Sequence, residues 1–209
     1  MSLSDTAATR IVGYDLRRAP ELAAGWPSDR AERYLLRLDA GHPLSTDTTV
    51  WESFLDGAAS GKSEWHGVLG LWSKVSDLLR FARGGSVEID LKGWWLIGVA
   101  LRLDVLTAAD RERWSSPGKT APTSPDQPAS EWELLGYDVS DEWLLSGLTN
   151  CGYSDAELPS LRRDWASRLN DHHLFAQLKD ASAFKSLSDT RVSEHAPFQP
   201  FALYRIPVG

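Results

Sequence analysis

The chain of 209 residues holds a single cysteine, Cys151, which excludes an internal disulfide framework and a zinc site built on four thiolates. Long apolar runs are missing too. The longest, GWWLIGVALRLDVL (93–106), is broken by Arg102 and Asp104 and is too short to cross a bilayer. The N-terminus, MSLSDTAATR, lacks the apolar centre of a signal peptide, so a cytoplasmic location is expected, with no membrane partner. Cations are scarce: 22 Lys and Arg stand against 29 Asp and Glu, a formal charge of −7. Gripping phosphate needs clustered Lys and Arg, so a general nucleic-acid binder is not expected.

Catalytic signatures are equally absent. ARGGSVEID (82–90) has glycines but no G-x-x-x-x-G-K, and neither G-x-G-x-x-G nor G-x-S-x-G occurs. His172 and His173 are adjacent and would point to different sides of a helix, so they do not chelate as an i, i+4 pair would. No metal site and no cofactor are expected. Cys151 would need an oriented base to act as a nucleophile, and His172, His173 and His195 lie far from it in sequence. It reads as a small buried hydrophobe. An enzyme with an unrecognised site around Cys151, His172, His173 and His195 stays as an alternative.

What the chain has in quantity is tryptophan. Ten are spread along its length, at 26, 51, 65, 72, 94, 95, 114, 132, 143 and 165. Most are expected to supply core volume, and the rest to serve as surface anchors, where Trp is enriched. The charges are uneven as well. Between Lys119 and Arg162 there are eight acids and no Lys or Arg. Such an interval is either a solvated face or a negative surface that selects a basic partner. On the second reading Glu131, Trp132, Glu133, Asp138, Asp141, Glu142 and Trp143 would make the partner-binding surface.

The pattern along the chain predicts an α+β fold, helix-rich, with a small sheet of short strands near 9–17, 86–92, 132–139 and 201–207. Helices are expected over 28–41, 48–60 and 63–85, the last from Trp65, Leu69, Trp72, Val75, Leu78 and Leu79 at helical spacing. The run 94–106 favours a helix, with Thr107 capping a short one after it. Four prolines make SSPGKTAPTSPDQPAS (115–130) an exposed connection. It separates a helix-rich part, 1–114, from an α+β part, 131–209, which either forms a domain of its own or completes a shared core. GYD occurs at 13–15 and 136–138, each time after two aliphatic residues, and hints at a repeat.

The segment GYDVSDEWLLSGLTNCGY (136–153), with RVSEHAPF (191–198) downstream, resembles bacterial immunity proteins of polymorphic toxin systems of the contact-dependent inhibition and Rhs type. The resemblance covers the last third of the chain and implies action by binding a partner. The function expected is therefore that of a stoichiometric immunity or antitoxin-type protein, neutralising a basic toxin domain through an acidic, Trp-containing surface. A small-molecule binding module with a Trp-lined pocket is a further alternative.

Overall fold

The computed structural model describes residues 9–18, 65–66, 71–72, 74–84, 94–110, 127–141, 146–147 and 156–207. Their elements run β1 (Thr9–Arg18), β2 (Trp65–His66), β3 (Leu71–Trp72), α1 (Val75–Gly84), β4 (Trp94–Arg102), β5 (Glu133–Ser140), α2 (Leu158–Trp165), α3 (Leu178–Arg191) and β6 (Gln199–Ile206). The six strands form one sheet in the order β2-β3-β1-β4-β6-β5, with every pairing antiparallel. This corrects the expected α+β, helix-rich fold with a small sheet: among the described residues strand outweighs helix, and the helices are short.

Two local expectations fail for physical reasons. The run 94–106 is mostly strand, because β4 lies between β1 and β6 and buries both of its faces. A strand covered on both sides loses the alternation that would betray it. The segment 63–85 is not one helix: Trp65 and Trp72 pair with each other across β2 and β3, and the helix begins only at Val75. Strands near 9–17, 132–139 and 201–207 are present within a residue or two at most of their ends. The expected elements at 28–41, 48–60 and 86–92 lie outside the described residues. So does most of 115–130, of which 127–130 is described and carries a buried Pro128.

One apolar cluster packs Leu78 and Ala82 of α1, Ala181 and Phe184 of α3, and Ile11, Tyr14, Tyr137, Ala100 and Ala202 of the strands. A second, containing Val12, Ile97, Val99, Leu135, Phe201 and Leu203, covers the opposite face. Both clusters draw on residues from either side of 115–130, so the sheet and its core run through both parts of the chain.

The two GYD segments occupy equivalent places. Each follows a one-residue bulge, at Val12 in β1 and at Leu135 in β5. Gly13, Tyr14 and Asp15 face Val99, Gly98 and Ile97, while Gly136, Tyr137 and Asp138 face Leu203, Ala202 and Phe201. Between them β4 and β6 pair Val99 with Leu203, Gly98 with Tyr204 and Ala100 with Ala202. These registers obey a single pseudo-two-fold axis through the Val99–Leu203 pair, which exchanges β1 with β5 and β4 with β6. Asp15 and Asp138, exchanged by the axis, are both buried. α1 and α3 precede the exchanged strands β4 and β6 and pack on the same face.

The symmetry is broken at the sheet's outer side. β5 is an edge strand, and its open ladder is closed by a strap formed by residues 168–176. Tyr137 and Phe175 exchange backbone hydrogen bonds of 2.9 Å in both directions. Asn170 builds the turn of the strap: its Oδ1 accepts from the N–H of His172 and of Leu174, and its Nδ2 donates to the Leu135 carbonyl at 2.6 Å. Covering an edge in this way removes a template for unwanted strand pairing.

Next to it, Gln199 faces Ser140 across β5 and β6 and is fully buried, yet neither atom of its side-chain amide has a hydrogen-bond partner among the described residues. An orphaned buried amide costs free energy that an apolar side chain of similar size would not. Gln199→Leu is therefore expected to raise stability by about 1–2 kcal/mol, read from the urea midpoint. A lowered midpoint would mean that the amide is satisfied in solution.

After β4 the chain turns through a 3-10 segment, Leu103–Val105. Arg102 donates to both carboxylate oxygens of Asp104, at 2.8 and 2.6 Å. These hydrogen bonds, ahead of the other effects, hold the Asp104 carboxyl below its ordinary value of 3.8. Being depressed in the folded state, the group stabilises above its unfolded pKa and loses that contribution as pH falls through the folded one. The pair is partly exposed and worth at most about 1 kcal/mol. Asp104→Asn should thus lower the melting temperature slightly at pH 7, and the gap to the parent should close as pH falls through the depressed folded-state pKa. A gap independent of pH would assign the effect to packing. Thr107 does cap the helical residues 108–110: its Oγ1 accepts from the Asp110 N–H, and Asp110 accepts from the Thr107 N–H.

Candidate functional site

β4 begins, β6 ends and β5 begins at the same end of the sheet, because neighbouring strands are antiparallel. There Trp94, Trp95, Leu96, Glu131, Glu133, Arg205, Ile206 and Pro207 line an open cleft of about 480 Å³. That size lies within the range of small ligand sites and is ample for a protruding side chain. Trp94 and Trp95 are half-buried, while Glu131, Glu133 and Arg205 are exposed.

Register places the polar groups. Glu133 stands directly opposite Arg205, an opposite-charge cross-strand pair with Nη1 and Oε2 3.7 Å apart. Arg205 also faces Ile97, so Trp95, two residues before Ile97, is its diagonal neighbour on the same face. The guanidinium carbon lies 4.4 Å from the centre of the Trp95 ring, a cation–π contact. The His172 ring meets Trp95 edge-on at 5.7 Å, from the strap side. Glu131 sits at the mouth, its carboxylate 3.5 Å from the Ser130 hydroxyl. On the Trp95 face the cleft thus offers an aromatic wall and, among the described residues, two carboxylates against one cation, an arrangement suited to a positively charged group.

The acidic surface read from the sequence divides under this geometry. Glu131 and Glu133 come together in the cleft. Trp132 points away from it: its ring lies over Gly98, where a Cβ would come within 2.9 Å, and packs against Tyr14 and Tyr204 at 6.3 and 6.4 Å. It fills the hole that glycine leaves in the central strand. Asp138 is wholly buried and accepts from Ser146 and Ser140 at 2.7 and 3.2 Å. Asp141 is wholly buried too, and its Oδ2 lies 2.9 Å from Nδ1 of His195. Neither carboxylate reaches a partner's surface; each satisfies polar groups that folding has removed from water. Glu142 and Trp143 lie outside the described residues.

Of the residues suspected for an enzyme, Cys151 lies outside the described residues. His172 and His173 belong to the strap, far along the chain from His195, which sits in the connection from α3 to β6. His195 is 30% exposed along its side chain while Asp141 is fully covered, so the buried carboxylate orients a ring that solvent can reach. Among the described residues no group of three or more His, Cys, Asp or Glu could hold a metal ion, and no helix is long and apolar enough to cross a membrane.

Arg205, Trp94 and Trp95 had not been singled out as a site. The signal was the doubled Trp at the head of an apolar run, together with one Arg in the alternating strand FALYRI. Comparison with protein-family models, with curated proteins and with solved structures gives no match to this chain.

Proposed function

We propose that this protein acts by binding: it is a stoichiometric partner protein of the immunity type, and the cleft at the end of β4, β5 and β6 receives a basic side chain from the protein it neutralises. The observation that carries the reading is the cleft itself, with the Trp95 ring as a wall and Glu131 and Glu133 among its lining residues. Aromatic residues in pockets provide most of the affinity at protein interfaces, and surrounding charges steer encounter and select partners.

The test is purification of the partner from the producing host, followed by binding kinetics at two salt concentrations. Glu131→Lys with Glu133→Lys should slow association about tenfold at low salt and leave little salt dependence. Trp95→Ala should speed dissociation about 30-fold, equivalent to roughly 2 kcal/mol. Partners that are acidic, or association indifferent to the charge reversals, would reject the reading.

A second reading has one specific observation in its favour. With Nδ1 of His195 held by Asp141, the ring presents Nε2 outward, the orientation a general base requires. If the protein is an enzyme, His195→Ala abolishes turnover; if it is only a binder, the same change leaves the affinity for the partner intact.

A further inference from the structure

We propose that the cleft is selective for a guanidinium group and that Arg205 is its internal occupant, displaced when an arginine of the partner enters. The proposal rests on the reading of the cleft as a protein-binding site and names the chemistry it accepts. Arg205 already shows what the site can hold: a planar cation over the Trp95 ring at 4.4 Å, with the Glu133 carboxylate 3.7 Å away. A flat, weakly hydrated guanidinium stacks on an indole and pairs with a carboxylate at once, which a compact ammonium does less well.

The hold on Arg205 is loose. Its side chain is 47% exposed and that of Glu133 61%, and their separation exceeds a good charged hydrogen bond. Among the described residues two carboxylates line a cleft that contains one cation, and Glu131 makes only the long contact to the Ser130 hydroxyl. A second guanidinium is therefore electrostatically welcome. The best place for it, over Trp95 and beside Glu133, is taken by Arg205, so entry requires the resident to swing out. Removing the resident should strengthen binding even though Arg205 lines the site.

The full-length protein is titrated calorimetrically with capped tri-arginine and tri-lysine peptides at low salt, with melting curves to confirm that each variant is folded. The parent should bind tri-arginine weakly, Arg205→Ala about tenfold more tightly, and tri-lysine at least several-fold more weakly in both. Glu131→Gln with Glu133→Gln should abolish binding of either peptide. Parent binding that is unchanged or weakened in Arg205→Ala would overturn the internal-occupant proposal and leave the protein-binding reading standing. Equal affinity for the two peptides would overturn the guanidinium selectivity. If no folded variant bound either peptide better than the double Gln variant, the cleft would not be a cation site, and the proposed function would fall with it.

Discussion

Phe184→Ala should unfold at a much lower urea concentration than the parent, with a loss of about 3–5 kcal/mol and an unchanged dependence on denaturant. Phe184 is fully buried on α3, the helix that packs on both β5 and β6. Its ring meets Trp165 edge-on at 4.9 Å and Phe175 at 5.1 Å, joining α2, α3 and the strap in one aromatic cluster. A Cβ on Gly147 would come within 3.2 Å of the same ring, so the neighbours are already close on that side. The hole left by truncation is bounded by backbone and aromatic rings that cannot easily collapse into it. Such a loss is a large fraction of the stability of an ordinary domain. Phe184→Leu, which keeps most of the volume, should cost about 1–2 kcal/mol. A loss below 1 kcal/mol for the Ala variant would mean that the cluster does not hold α3 to the sheet.

Gly136→Ala should cost about 3 kcal/mol, by a different route. Gly136 follows the bulge in β5 with φ of +146°, a conformation that side-chain-bearing residues rarely adopt. A Cβ there would lie 2.7 Å from Cβ of Leu174 and 3.0 Å from both the Phe175 carbonyl and Nδ2 of Asn170. Backbone strain and steric expulsion of the strap would therefore act together. Asn170→Ala offers a comparison without strain. It removes three hydrogen bonds that fix the strap's turn and should cost about 2 kcal/mol. Because both changes release the same segment, the double variant should lose less than the sum. Full additivity would show that the strap is not the shared element.

The strap explains why the sequence misleads in this region. DAELPSLRRDWASRLNDHHLFAQLKDASAF (155–184) has helical composition throughout, but Asn170 and a left-handed His173 break it in the middle. The two helices on either side follow from composition, whereas the break depends on a bulge 35 residues before Asn170, at Leu135. β1, β5 and β6 were legible because β-branched and aromatic residues alternate with polar ones or are bounded by turn residues. β4 was not, since a central strand is apolar on both faces. The candidate site was legible only as an acidic stretch. Glu131 and Glu133 belong to it, but the Trp95 ring and Arg205 reach them through strand register. The charge pattern could not distinguish these two acids from Asp138 and Asp141, which point into the protein.

The pseudo-two-fold axis has a consequence for how freely the chain between the strands can vary. β1 and β4 form the same ladder as β5 and β6, bulge included, although the first pair is joined by about 75 residues and the second by about 58. Closing a loop costs free energy that grows only with the logarithm of its length, so this inequality amounts to a few tenths of a kcal/mol, and even doubling either connection would add about 0.6. The four strands related by the axis thus set few limits on the length of what they carry. Insertions and deletions in these connections can accumulate at little thermodynamic cost where they fall outside β2, β3, the three helices and the strap, while a single residue inserted within a ladder would turn every following side chain to the wrong face. A protein that must keep pace with a changing partner could vary those connections and leave the sheet untouched.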